Sequence, residues 1–518
     1  MTTLATHTMN TDDQRIILLE ASDLDDEMEF KNTENEIKTP DSNYLLDKSE
    51  CQIKESKVSR ILIFTTITIS LGCSIPTGYN TGVVNAPALV MKQWCNETIV
   101  NRYGVHFTPT QLDGLWSILV SIFLLGGIAG GIAGGKLADI LGRKGTLKLI
   151  YLIYLVSGVL FISCKTLAMV ELFFIARLLS GLSAGLTMTT VPMYLLELSP
   201  SDKKGIFGVM FTVGLNFGLL FSQLLGLESI LGSESLWPFL FSFYASLVLL
   251  VFPTLSFIPE SPKYLYTIRN ERSKALSELS RLRGKPISDV SWELEDLFAS
   301  PEVWTLKRIL LEPASFKALI ITCTLMLGQQ LSGINVVFYY STEILIKSGL
   351  SVYWAQYANL GAGSVGFIVT VMSALFIDRF GRKSLLLFSV TVSVVMLSAI
   401  LTSIVVLTHN SITWVSYLLI IFIFGYVLFY GFGLGPIPFF IGSELTDVGP
   451  RPIIMSAMAV SNWTGNFLVG LTFPFINNMI KEYSFSPFVM FTILLIVFIW
   501  KVVPETKISS SGLRSNNV

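Results

Sequence analysis

Between Ile61 and Val503 the chain carries one apolar run after another, each long enough to cross a bilayer. A helix needs about 20 residues to span a hydrocarbon core of ~30 Å, and only a helix or a closed barrel satisfies its own backbone there. The runs lie near 61–84, 112–135, 147–165, 171–194, 206–228 and 237–258, and again near 315–339, 354–377, 385–407, 414–440, 453–475 and 485–503. With 52% hydrophobic and 14% charged residues in 518, and a mean hydropathy of +0.62, the composition agrees. The expected fold class is an all-α membrane protein with twelve transmembrane helices.

Charge orients the spans. Lys136, Arg143 and Lys144 follow the second span, Arg379, Arg382 and Lys383 follow the eighth, and 259–314 is rich in Lys and Arg, so these connections are expected in the cytoplasm with both termini. The 85–111 loop then faces outward, where Asn96-Glu97-Thr98 is a sequon, and glycosylation at Asn96 is expected. Asn462-Trp463-Thr464 repeats the pattern inside a span, out of reach of modification. The divisions expected are an acidic, disordered cytoplasmic tail at 1–60, a six-helix bundle at 61–258, a helical cytoplasmic linker at 259–314, a second bundle at 315–503 and a short cytoplasmic tail at 504–518. Helix-forming stretches in the linker are 271–283 and 292–298. The long tail, with a dileucine-like Asp41-Ser42-Asn43-Tyr44-Leu45-Leu46, is a candidate site for a cytoplasmic partner.

Several function classes are disfavoured. A net charge of −1 offers no basic surface for nucleic acid. Cys51, Cys73, Cys95, Cys164 and Cys323 are scattered, without metal or redox spacing, although a Cys95 to Cys164 bridge on the outer side is conceivable. His7, His106 and His409 all lie outside the spans, which disfavours a buried proton relay. Gly130 to Lys136 satisfies GxxxxGK, but Leu137 follows it and no strand precedes it; Gly126, Gly130 and Gly134 have instead the spacing of close helix packing. No cofactor, metal or bond-making constellation is expected, so the chain reads as a nonenzyme.

The chain also repeats itself. Asp139-Ile140-Leu141-Gly142-Arg143-Lys144 returns as Asp378-Arg379-Phe380-Gly381-Arg382-Lys383, between the second and third spans of each half. Pro259-Glu260-Ser261-Pro262-Lys263 closes the first half and Pro504-Glu505-Thr506-Lys507 the second, and Glu197 and Glu444 each end a fourth span. A duplicated six-helix unit with a cavity between the halves follows, which is transporter architecture.

One stretch places amides inside a span: Gln329-Gln330-Leu331-Ser332-Gly333-Ile334-Asn335. Amides donate and accept together, which suits a neutral, hydroxyl-rich solute better than an ion. Gln329 and Ser332 share one helical stripe while Gln330 and Asn335 lie to either side, so convergence of the amides needs a bend, for which Gly333 is placed. Interhelical glue is the alternative use. Asn462 and Asn466 share one face of the eleventh span with Trp463 beside them, an aromatic and amide mixture that fits a sugar.

These motifs, with Gly78-Tyr79-Asn80-Thr81-Gly82-Val83, Val191-Pro192-Met193-Tyr194 and Gly435-Pro436-Ile437-Pro438, resemble the sugar porters of the major facilitator superfamily, and within it the animal facilitative glucose transporters, over 57–507. The resemblance implies a sugar site at Gln329, Gln330, Asn335, Phe439, Asn462, Trp463 and Asn466. It implies an outer gate at Tyr339 and Tyr340, and a flexible one at Gly433, Pro436 and Pro438. It also implies charged ties between the halves through Arg143, Glu197, Glu260, Arg382, Glu444 and Arg451. Proton-coupled relatives carry Asp where Asn80 stands, paired with the Arg matched by Arg177, so uniport is implied here. The function implied is facilitative transport of a monosaccharide hexose, glucose first, across the cell membrane. Departures at Thr212, Gly366, Gly431, Phe439, Lys204 and Met326-Leu327-Gly328 keep fructose, another polyol, or a nontransporting sugar receptor open.

Overall fold

In the computed structural model of the chain, residues 58–85, 87–295, 304–347, 351–410 and 414–506 are described, all within one compact unit spanning Ser56–Val518. The amino-terminal tail with its dileucine motif and Cys51, and the tail after Thr506, lie outside the described residues. Every regular element among the described residues is helical.

The first half comprises Arg60–Gly82, Pro109–Ile140, Gly142–Thr166, Val170–Leu198, Lys204–Leu225 and Trp237–Val251. The second comprises a broken seventh span (Pro313–Leu331 and Ile334–Lys347), Val352–Phe380, Arg382–Asn410, a broken tenth span (Val415–Phe432 and Pro438–Leu445), Arg451–Ile480 and Ser486–Val502. Ten helices among the described residues are long and apolar enough to cross a membrane unaided. The other two depart for identifiable reasons. The sixth span stops as an α-helix at Val251 because Pro253 cannot continue it, and a 3₁₀ turn follows over Pro253–Ser256. The eleventh runs for 30 residues but carries Ser461, Asn462, Thr464 and Asn466 in its interior. Twelve transmembrane helices in two halves result.

Breaks fall where the backbone demands them. The first span includes a π turn at Ser70–Ser74 just before Pro76, which has no N–H to donate back along the helix. The seventh span breaks at Gly333, whose φ of +81° is left-handed. Gly433 ends the first part of the tenth span, and Pro438 opens the second.

Small residues bring the halves together. Gly126, Gly130 and Gly134 face the fourth span so closely that a Cβ on Gly130 would lie 2.1 Å from the Leu182 carbonyl oxygen. Gly127, Gly131 and Gly135, one position on, face the eleventh span, and Gly135 donates its N–H to Ser456 Oγ at 2.7 Å. The GxxxxGK match is therefore a helix-packing seam. On the other flank the fifth span packs against the eighth.

The 85–111 connection is not the plain loop expected. It carries the helix Ala88–Tyr103, closed by Gly104, with Trp94 against Trp237 at a centroid distance of 4.7 Å. Cys95 and Cys164 are both buried there as free thiols, so the conceivable bridge is not formed. The linker folds as short helices including Arg272–Arg283 and Trp292–Glu295; 296–298 lie outside the described residues. Arg283 pairs with Glu293 at 2.5 Å and donates to the Leu198 carbonyl at 2.9 Å, which fastens the linker to the end of the fourth span.

Candidate functional site

The break at Gly333 does what a straight helix could not: it turns Asn335 back onto Gln330. Asn335 Nδ2 donates to Gln330 Oε1, and Gln330 Nε2 donates to Gln329 Oε1 at 3.2 Å. Asn462 Nδ2, from the eleventh span, donates to the same Gln329 oxygen at 2.9 Å and reaches Met326 Sδ at 3.3 Å. Gly465 lets the Gln330 side chain lie against the eleventh span, since a Cβ there would stand 2.9 Å from Gln330 Cβ. Four amides thus form one neutral cluster between two spans, with Gln329, Gln330 and Asn462 buried and Asn335 half-buried.

That cluster is fixed to the tenth span at the proline break. Pro438 cannot donate to the carbonyl of Leu434, four residues earlier, and Pro436 cannot donate to that of Phe432. Gln329 Nε2 supplies the Leu434 carbonyl at 2.9 Å and the Gly435 carbonyl at 2.9 Å. Ser373 Oγ, from the eighth span, supplies Phe432 at 2.8 Å. Tyr426 donates to the Ser332 carbonyl at 2.8 Å and so holds the seventh-span break against the tenth. Ser373 and Tyr426 carry no motif that would single them out; the two prolines announce only that some donors are needed.

Trp463 lies edge-on to Phe123 of the second span at 5.5 Å, and its buried indole N–H has no acceptor among the described residues. Asn466 is buried one turn further on. Phe439 is buried beside Phe211 of the fifth span, with centroids 5.2 Å apart. Where the family pattern is broken the surroundings are less polar: Gly431 abuts Val369 and Gly366 abuts Val427, while the buried Thr212 hydroxyl has no hydrogen-bond partner. Tyr339 and Tyr340 fall in the helix Ile334–Lys347, but their side chains lie outside what is described.

The duplicated motif builds two matching corners at one end of the molecule. Gly142 and Gly381 hold φ values of +78° and +85°, and a Cβ on either would strike a carboxylate, of Glu260 or Glu505 respectively. Glu260 accepts the backbone N–H groups of Arg143 at 3.1 Å and Lys144 at 3.2 Å, while Glu505 accepts those of Arg382 at 2.7 Å and Lys383 at 3.1 Å. Burial raises the Glu260 carboxyl above its ordinary value, only partly offset by the Ser261 N–H and Arg143. Arg143 grips Glu197 through two bonds of 3.0 Å, and Arg382 grips Glu444 at 3.1 and 2.8 Å.

These pairs stay within their own halves. Of the six charged residues expected to tie the halves together, only Arg451 and Glu197 meet across them, at 3.4 Å. Asp378, outside that expected set, also bridges by accepting the Ile206 N–H at 3.1 Å. The repeat pointed to Glu505; nothing in sequence pointed to Asp378 as a bridge.

Asn80 is fully buried in the first span and donates to the Pro76 carbonyl at 2.9 Å. Arg177 reaches the Asn80 backbone carbonyl at 2.8 Å and lies 4.4 Å from the centroid of the Phe123 ring. Arg177 thus meets the backbone of Asn80, whose own side chain is an amide and carries no proton to exchange.

Two six-helix halves with matching charged corners, set about a central amide cluster, define a membrane transporter of the major facilitator fold and not an enzyme. The chain belongs to the family described as sugar (and other) transporter, which matches residues 65–512. It is 38% identical over 458 residues to solute carrier family 2, facilitated glucose transporter member 1, of Gallus gallus, covering 87% of this chain and 92% of that protein. To facilitated glucose transporter member 3 of Ovis aries it is 37% identical, covering 87% and 91%. Among solved structures, the proton:xylose symporter XylE bound to 6-bromo-6-deoxy-D-glucose shares the fold with a TM-score of 0.74 at 22% identity, covering 87% of this chain and 98% of that one. A partially occluded, inward-open form of XylE from E. coli gives 0.66 at 22% identity, covering 87% and 100%.

Proposed function

We propose that this protein is a facilitative hexose transporter that works as a uniporter, rocking its two halves about the amide cluster. The observation that carries this reading is the neutral site: Gln329, Gln330, Asn335 and Asn462 present donors and acceptors beside Trp463, and the side chain at the proton-coupling position is Asn80. The kinship to facilitated glucose transporters favours glucose as substrate. Fructose or another polyol is the second reading, favoured by the apolar surroundings of Gly366 and Gly431 and by Phe439.

In this reading the end bearing the Arg143 and Arg382 corners faces the cytoplasm, with both termini, as their basic flanks favour in a plasma-membrane protein. Arg451 and Glu197 then close the cytoplasmic path, and Gly433, Pro436 and Pro438 form the flexible gate. Tyr339 and Tyr340 belong to the outer gate, and Asn96, in the helix Ala88–Tyr103, carries glycan on the outer side. The amino-terminal tail is the candidate site for a cytoplasmic partner.

The test is uptake of radiolabelled D-glucose and D-fructose by cells lacking their own hexose porters, with surface protein verified. Saturable uptake that survives a protonophore at constant external pH is expected. Absence of uptake for every hexose overturns the reading, and collapse with the protonophore overturns uniport.

A further inference from the structure

A second polar face runs along the fifth span, away from the amide cluster. Thr212, Asn216 and Gln223 recur at spacings of four and seven, so they share one side of the helix, and that side meets the eighth span. Asn216 Nδ2 donates to Thr370 Oγ1 at 2.8 Å across the two halves. Two turns further on, Gln223 lies directly against Gly363, where a Cβ would stand 2.3 Å from the Gln223 amide oxygen.

Gln223 is 8% exposed, and neither its amide oxygen nor its amide nitrogen has a hydrogen-bond partner among the described residues. Lipid supplies no donor or acceptor, so an orphaned amide in a membrane span is a standing cost. It is relieved only by something that enters the seam. The eighth span contributes Gly363 here, so the buried amide meets backbone and no polar side chain. Gln223 lies twelve residues beyond Phe211, which packs against Phe439, and so about 18 Å further along the helix.

We propose that Gln223, against Gly363, is a separate binding site for a hydroxyl-bearing neutral sugar, on the route between the central amides and the face opposite the charged corners. The amide offers donors and an acceptor together, and a sugar hydroxyl can answer either. This inference rests on the hexose reading, and the two can fail separately.

The experiment uses the purified full-length protein in detergent and saturation-transfer NMR with D-glucose and D-fructose, which detects weak binding. Gln330→Ala, which disables the central cluster, is expected to leave a residual signal. Adding Gln223→Leu is expected to reduce that residue about fivefold, the weight of one net hydrogen bond. Gly363→Ala, which crowds the amide without removing it, is expected to act in the same direction, and Gln223→Asn to retain part of the signal. Melting temperatures establish that each variant is folded. Binding that Gln330→Ala removes completely overturns the second site and leaves the hexose reading standing. So does a residual signal indifferent to both Gln223→Leu and Gly363→Ala. If the unmutated protein binds neither sugar, the second site falls together with the hexose reading.

Discussion

Gln329 donates to the carbonyl of Leu434, 105 residues away, at 2.9 Å, and thereby replaces the helical donor that Pro438 cannot provide. The amide motif and the proline hinge are therefore one assembly. A bend in the tenth span must either carry Gln329 with it or leave the Leu434 carbonyl unpaired.

Pro438→Ala restores the missing N–H and offers Leu434 a helical donor, so the hinge straightens and releases Gln329. Hexose uptake is expected to slow with surface protein unchanged. Gln329→Leu removes the donor instead and strands a buried carbonyl, at a cost of about 1–3 kcal/mol. A melting temperature measured on the purified variant checks this; an unaltered one would separate the hinge from the site.

Gln330 stands between Asn335 and Gln329 and bonds to both. Gln330→Ala is expected to abolish saturable uptake without loss of surface protein. Unchanged kinetics would remove Gln330 from the central site.

Glu197 serves two arginines, one in each half, whereas Glu444 serves Arg382 within a single half. Glu197→Gln leaves buried cations uncompensated, with an expected loss of about 3–5 kcal/mol, and it also unfastens the halves. Glu444→Gln is expected to destabilise without that second effect. Thiol labelling of a cysteine placed on the path between Glu197 and Arg451 distinguishes the two: faster labelling is expected in Glu197→Gln alone.

Lys263 lies partly buried at the same end, and desolvation, then Lys204 and Arg451, push its ammonium down to about 7 from 10.5, with Glu197 and Glu293 opposing the shift. In an opened, solvated arrangement Lys263 keeps its ordinary value, so above about pH 7 the closed form binds fewer protons than the open one. Closure of this end is therefore favoured as pH rises through 7, up to the ordinary lysine value, and is insensitive below that window. Accessibility of the same engineered cysteine, followed from about pH 6 to 9, should fall with rising pH. Lys263→Arg, which stays charged, should flatten that dependence; a slope retained in the variant would exclude Lys263 as its origin.

Much of the architecture is legible in the amino-acid sequence. Hydropathy marks the spans because burial in lipid is nearly a local sum, and the eleventh span is underweighted by that sum because Ser461, Asn462, Thr464 and Asn466 interrupt its apolar run. Gly333, Pro436 and Pro438 mark the breaks because φ preference and a missing N–H act within one or two turns. The repeat marks Arg143 and Glu197, and Arg382 and Glu444, as equivalent positions of two units, but these pairs close within each half and not between the halves as expected.

What the amino-acid order could not decide is which faces meet. Each residue turns a helix by about 100°, so small rotations between spans choose the partners of a side chain. Arg451 meets Glu197, Asp378 meets the Ile206 N–H and Ser456 meets the Gly135 N–H because the halves pack in one particular way. The same packing places Gln329 under Leu434 and leaves Gln223 unpaired against Gly363. Sequence alone determined the spans, their breaks and the duplicated corners, since hydropathy, backbone preference and repetition are properties of neighbouring residues. Tertiary structure decided the links between the halves and the hinge's hold on the amides, since those depend on how whole helices rotate against one another.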